Sequence, residues 1–435
     1  MKINGSTGPV MEPAGPGERN EGCIKAQVLL VALRGRSVYI ETYGCRYNFG
    51  DTAKLVEVLR HHDCTIVKNP DEAEAIIVNT CTVVGPTERR ILRRLAGFSD
   101  KELYVTGCLS RVQREAILAV CSPAIISPET IHDLYRPLAT VAGSDVGIVQ
   151  LAQGCVGKCT YCITRLARGP LKSFTEEEIL AQVRAFVQTG TCEIQLTAQD
   201  VGAWGLDIGH TLPELLRALD KIPGRHQIRV GMMNPCTVRA QTSDLVDAFA
   251  GDHIFKFIHL PVQSGSNAVL RRMNRGYTVA EFEDIVRSFR ERYPQITVVT
   301  DMIVGFCGET PADFSASLEL VRRVKPAKVN VTRYSRRPFT PLFGEKDYPD
   351  HVKKDRSRIL NSVAEEVYAS LNTGRLGKTV PFMVTETLRK GSVMARSPEY
   401  TGIVIREDLP VGFRGYALLT QDRNYFFIGD RVHPS

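Results

Sequence analysis

The sequence predicts an α/β protein in three parts: an N-terminal α/β domain with an open parallel sheet, a central partial (β/α)6 barrel, and a small C-terminal all-β barrel. Three observations predict it. Apolar strand-like runs alternate with amphipathic helical stripes from residue 37 to about 372. Helical stripes open with capping boxes, Thr175 with Glu178 and Thr278 with Glu281. Beyond a long helix over 353–371, short strands follow, separated by Gly, Pro and charged turns. A chain of 435 residues exceeds one ordinary core. The expected divisions are a disordered extension (1–36), an N-terminal domain (37–140), a barrel domain (145–372) and a terminal barrel (373–435).

In the N-terminal domain, strand 37–41 leads to Gly44-Cys45 and a helix from Asp51 through Leu59. Strand 75–78 ends at Asn79-Thr80-Cys81. After a helix over 87–95, strand 103–105 ends at Gly107-Cys108. Three cysteines thus follow three strands, and the carboxyl ends of parallel strands are where open α/β sheets bind ligands. Any one of them could instead be a small buried hydrophobe.

The barrel strands are expected at 147–151, 193–197, 227–231, 256–260, 296–300 and 328–332, with Pro213 and Pro311 at helix starts. Six units fall short of the eight that close a full barrel. A Pro-rich crossing at 336–348 leads to the long helix, and terminal strands are expected at 380–386, 402–405, 416–419 and 426–428.

The formal charge of +7 favours a polyanionic partner. Twelve cysteines spread over this length suit a reducing, cytoplasmic setting better than a disulfide scaffold. The first residues are polar and Gly/Pro-rich, unlike a signal peptide. The apolar run 28–33 is far short of the roughly 20 residues that cross a bilayer, so no membrane association is expected.

The strongest local signal is GCVGKCTYC, placing Cys155, Cys159 and Cys162 in a C-x3-C-x2-C cluster directly after the first barrel strand. Soft thiolates suit zinc or an iron–sulfur cluster, but structural zinc takes four ligands and no fourth Cys or His lies nearby. Three cysteines on a four-iron cluster leave one iron open to substrate.

This motif resembles the signature of the radical S-adenosylmethionine (SAM) superfamily. The resemblance implies that the open iron binds SAM, whose reductive cleavage gives a 5′-deoxyadenosyl radical. Cys45 in ETYGCRYN, Cys81 in NTCTV and Cys108 in TGC resemble the N-terminal triad of methylthiotransferases. That implies a second [4Fe-4S] cluster, with all six cysteines as ligands and participants in catalysis. The stretches CITRLARGPLKSF, EIQLTAQD, RVGMMNP, HLPVQSGS, MNRGYT and TDMIVGF resemble the archaeal and eukaryotic branch of that family. The substrate so implied is N6-threonylcarbamoyladenosine at position 37 of the tRNA anticodon loop, converted to its 2-methylthio derivative. An external electron donor and a sulfur source are then required. Cys307 stands where the family commonly has proline, and is not counted as a ligand.

At strand ends, Gln199, Asp200, Asn234, Gln263, Ser264 and Gly305 are the expected SAM contacts, with ordinary loop capping as the competing reading. Phosphate contacts are expected from Arg165, Arg168 and Lys172 beside the cluster and from Arg333, Arg336 and Arg337 at the last strand. The helix carrying Arg89, Arg90, Arg93 and Arg94 reads slightly better as a solvated face. The tail resembles the TRAM-like RNA-binding barrel of methylthiotransferases, with Arg389, Lys390, Arg396 and Arg414 as phosphate candidates; a plain stabilising barrel is the alternative. Two other functions stay open: methylthiolation of isopentenyladenosine or a ribosomal protein, and a non-catalytic iron–sulfur or zinc RNA-binding protein.

Overall fold

The computed structural model describes residues 30–98, 100–138, 141 and 144–432. Its N-terminal domain holds a parallel sheet of β1 (Ser37–Thr42), β2 (Thr65–Val67), β3 (Ala75–Thr80), β4 (Glu102–Gly107) and β5 (Ala124–Ile125), in the order β2-β1-β3-β4-β5. All residues of the central strand β3 are buried, as a parallel strand covered on both faces requires. One face packs on Leu55, Val58 and Leu59 of helix Arg46–His61, the other on Ile91 and Leu95 of helix Gly85–Ala96.

The extension expected over 1–36 is shorter at its inner end. Leu30 and Leu33 are fully buried in the first of these cores, beside Val58 and Tyr135, because they cover apolar surface the sheet would otherwise expose. The rest of that segment, 1–29, lies outside the described residues.

The central domain contains β6 (Val146–Gln150), a short hairpin of β7 (Ala152–Gln153) and β8 (Lys172–Ser173), then β9 (Glu193–Thr197), β10 (Gln227–Arg229), β11 (Phe257–His259), β12 (Thr297–Val304) and β13 (Lys328–Arg333). Two parallel three-stranded sheets, β10-β9-β6 and β11-β12-β13, are joined by the parallel bridges Ile228↔Ile254 and Met232↔His259. The result is the expected six-stranded partial barrel. Its helices start where the sequence places them: Thr175–Glu178 and Thr278–Glu281 form complete capping boxes, and so does Thr310 with Asp313 ahead of Pro311. One core runs from Val149 through Leu196, Ile228, Leu260 and Val298 to Tyr368 of helix Asp350–Thr373.

At the C-terminus, β14 (Thr379–Arg389), β15 (Ser392–Arg396), β16 (Gly402–Ile405), β17 (Arg414–Asp422) and β18 (Phe426–Val432) close into a barrel in the order β14-β15-β16-β18-β17. It docks on the outside of the central domain, where Met383 joins Cys192, Phe255, Phe257 and Val299 in a shared core. Among the described residues no helix is long and apolar enough to cross a membrane.

Candidate functional site

Three strand ends deliver the first cysteine triad. Cys45 caps helix Arg46–His61 just beyond β1, Cys81 directly follows β3, and Cys108 opens helix Cys108–Val112 directly after β4. Two glycines let these ends approach. A Cβ on Gly44 would lie 2.9 Å from the Cys81 Cβ, and one on Gly107 would lie 2.3 Å from the Thr80 carbonyl oxygen; both have positive φ. Asn48 then ties the ends together, its Nδ2 donating to the carbonyls of Tyr43 at 2.7 Å and Thr80 at 2.9 Å. Cys45 is exposed, whereas Cys81 and Cys108 are buried. Burial pushes the Cys81 thiol up to about 11, and proximity to Cys108 and Cys45 adds to it. Burial also raises Cys108, against the opposing charge of Arg168. A bound cation reverses such shifts by stabilising the thiolates.

The second triad lies in the loop between β7 and helix Thr164–Arg168. The Gly157 N–H donates to Cys155 Sγ at 3.2 Å. A Cβ on Gly157 would stand 3.2 Å from that sulfur and 3.7 Å from Cys159 Sγ, so both sulfurs gather around a residue with no side chain. Arg275 Nη1 donates to Cys159 Sγ at 3.3 Å. Burial, then Asp200, pushes the Cys155 thiol up to about 12, and burial raises Cys162. Among the described residues no His, Cys, Asp or Glu side chains are grouped as ligands of a single ion.

Several residues expected to contact SAM hold the second triad's surroundings in place. Gln199 Oε1 accepts from the Gly154 N–H at 2.7 Å. Asp200 is buried and accepts from the Asn234 and Gly202 N–H groups and the Thr237 hydroxyl. Burial pushes its carboxyl up to about 6 against those hydrogen bonds. Asn234 Oδ1 accepts from Arg275 Nη2 at 3.1 Å. The remaining three have partners of their own: Gln263 at φ +70 pairs through its backbone with β12, Ser264 Oγ accepts from the Ser266 N–H, and the Gly305 N–H donates to Glu309.

Two expected RNA contacts are corrected. Arg168 and Arg337 have side chains only 1% and 5% exposed, because each crosses into the N-terminal domain to meet a carboxylate, Asp51 and Glu88 respectively. Of the others, Lys172, Arg333 and Arg336 are exposed, and half-buried Arg165 donates to the Gly157 carbonyl at 3.2 Å. In the arginine-rich helix, Arg94 pairs with Glu41 at 2.9 Å and Arg90 lies over the Tyr43 ring. Sequence reasoning missed Arg275 and the His259–Asp301–Asn330 cluster, in which Asp301 Oδ1 lies 2.8 Å from His259 Nε2 and accepts from Asn330 at 2.7 Å. Its signal is a His and an Asp among the apolar residues of β11 and β12, with Asn330 between two valines of β13.

Residues 149–321 match the radical SAM superfamily, and residues 37–126 match a family described only as uncharacterized protein family UPF0004. The probable threonylcarbamoyladenosine tRNA methylthiotransferase of Pyrococcus horikoshii is 38% identical over 405 residues, covering 87% of this chain and 95% of that one. The chain belongs to the threonylcarbamoyladenosine tRNA methylthiotransferase family. The family's Archaeoglobus fulgidus protein is 36% identical, covering 84% of this chain and 92% of its own. The Danio rerio protein is 32% identical, covering 75% and 66%. Among solved structures, the radical SAM methyltransferase TsrM of Kitasatospora setae superposes with a TM-score of 0.51 at 14% identity, over 71% of this chain and 77% of that one. At that identity the likeness is one of fold alone.

Proposed function

We propose that the protein converts N6-threonylcarbamoyladenosine in the tRNA anticodon loop to its 2-methylthio derivative. The observation that carries this reading is the presence of two separate cysteine triads, each at strand ends, in a chain whose relatives bear that activity's name. A one-site radical enzyme needs only the second triad. The protein works in the cytoplasm, where it meets tRNA, an electron donor and a sulfur source.

Cys155, Cys159 and Cys162 would hold one [4Fe-4S] cluster, and Cys45, Cys81 and Cys108 the other. When bound, the first cluster would supply one-electron reduction of SAM, and the second would supply a site for sulfur. The chain's own residues orient and enclose. Gln199 fixes the start of the cysteine loop through Gly154, and Asn274 Nδ2 fixes its middle by donating to the Lys158 carbonyl at 2.9 Å. Arg275 places positive charge beside Cys159, its Nη1 donating to the sulfur. Lys172, Arg333 and Arg336 offer exposed charge for the backbone of a loop whose target base is splayed out.

Anaerobic incubation of reconstituted protein with SAM, reductant and tRNA, followed by mass analysis of the nucleosides, tests the substrate. The expected result is a methylthio mass gain on threonylcarbamoyladenosine. A gain on isopentenyladenosine or a ribosomal protein instead would replace the substrate, and zinc binding without SAM cleavage would overturn the reading.

A further inference from the structure

Arg168 ends the short helix that begins just after Cys162, yet its side chain leaves the central domain and is buried in the N-terminal one. There Nε donates to Cys108 Sγ at 3.3 Å, and Nη2 donates to Asn48 Oδ1 at 2.8 Å and lies 2.7 Å from Asp51 Oδ2. The guanidinium lies over the Tyr47 ring, 4.8 Å from its centre. Asp51 is held in turn by Gln150 of β6, whose Nε2 donates to Oδ1 at 2.7 Å. Arg168 Nη1, by contrast, is buried with no hydrogen-bond partner.

An ion pair with Asp51 alone would explain the burial of the charge, but not the donation to sulfur or the orphaned nitrogen. A buried donor left unpaired costs about 1–3 kcal/mol, more on a charged group. Charge-assisted N–H donors at sulfur favour the more negative state of whatever that sulfur holds.

We propose that Arg168 is a positioning residue for the N-terminal cluster: it donates Nε–H to the Cys108 thiolate and keeps Nη1–H for the anionic cluster that the three thiolates enclose. This rests on the reading of Cys45, Cys81 and Cys108 as cluster ligands. It follows that the N-terminal site is completed by the central domain. One short helix links the last cysteine of one triad to the last cysteine of the other, so the spacing of the two sites is set by the chain itself.

The test uses the full chain carrying Cys155→Ala, Cys159→Ala and Cys162→Ala, so that only the N-terminal site takes iron. Iron and sulfide content and the midpoint potential of the reconstituted cluster are compared for Arg168, Arg168→Lys and Arg168→Met, with circular dichroism confirming the fold. Arg168→Met is expected to lose at least half the iron on desalting and to shift the remaining cluster to a more negative potential. Arg168→Lys, with charge but no fork of donors, is expected to lie between. Asp51→Asn serves as the control: it weakens the ion pair yet should leave the potential nearer that of Arg168 than of Arg168→Met. A folded Arg168→Met protein with unchanged iron content and potential overturns the proposal and leaves the ligand assignment standing. If the parent with Arg168 takes up no iron, the ligand assignment itself fails, and the proposal with it.

Discussion

Gln199 Oε1 accepts the Gly154 N–H at 2.7 Å, which fastens the start of the cysteine loop to the end of β9. The other side of Gly154 is equally confined: φ is +79, and a Cβ would come 1.9 Å from the Pro170 carbonyl oxygen. Gln199→Leu removes the acceptor and leaves a buried N–H unpaired, so Cys155 loses its fixed position. The expected outcome is a drop in SAM cleavage of up to about a hundredfold, from a misplacement on the order of 1 Å, with the N-terminal site's iron unchanged. Electron paramagnetic resonance of each site, isolated by cysteine substitution of the other, checks it.

Gly107→Ala acts on the opposite domain. At φ +92 and 2.3 Å from the Thr80 oxygen, the new methyl forces β4 away from β3 and carries Cys108 with it. Backbone strain of this kind costs on the order of 1–3 kcal/mol. Thermal unfolding should show an earlier N-terminal transition, and iron at that site should fall while SAM cleavage persists.

The N-terminal domain should be acid-sensitive for an identifiable reason. Lys54 Nζ lies 2.9 Å from His132 Nδ1, and the His132 ring stacks on Phe174 of the central domain at 4.0 Å. Burial, then the charge of Lys54, pushes His132 down to about 2, while burial pushes Lys54 down to about 8. For His132 the folded state holds fewer protons than the unfolded state between about pH 2 and 6.5, so its stabilisation is present above 6.5 and declines as pH falls through that window. Lys54 acts in the same direction higher up, with stability rising between about pH 8 and 10.5. Urea unfolding of His132→Phe, which keeps the ring stack, should lose less stability than the parent between about pH 6.5 and 5. The parent's loss there approaches about 1.4 kcal/mol per pH unit at most. Equal pH dependence in the two proteins would rule out His132 as the cause.

Arginines that look alike in sequence should behave oppositely. Arg337 is buried against Glu88 and Thr82 and joins the crossing after β13 to the N-terminal domain. Arg337→Ala removes the cation from the half-buried Glu88 carboxylate, to which Thr82 and Gln113 still donate, at a cost of about 1–3 kcal/mol. Arg333, by contrast, stands exposed at the end of β13. Arg333→Ala should leave stability within about 0.5 kcal/mol yet weaken tRNA binding. Its plot of log affinity against log salt should be shallower by about 0.7–0.9 for each phosphate left without its cation. Calorimetry and filter binding of both variants distinguish the roles.

What is legible in the sequence is what local pattern dictates. Apolar runs and capping boxes locate the six barrel strands and the helices between them, and strand-end position singles out six of the twelve cysteines. Long-range partners are not legible. Arg168 and Arg337 lie in polar, loop-like stretches, and only the packing of one domain on another turns them inward. Arg275 is hidden for the same reason, in a short stretch between two helices where no periodicity shows burial. Strands β2, β5 and β15 escape a reading by pattern because two or three residues, or the half-polar SVMAR, show little alternation. Leu30 and Leu33 are obscured by the Gly/Pro-rich stretch before them, although an uncovered sheet face requires them.

The most direct measurement of the central claim, that two triads act together on one nucleoside, is paired iron and product analysis of three proteins. The parent should carry about eight irons and form the methylthio nucleoside; Cys81→Ala and Cys159→Ala should each fall to about four and form none. Only Cys81→Ala should still cleave SAM. A Cys81→Ala protein that kept about eight irons, or that still made the methylthio product, would contradict the account.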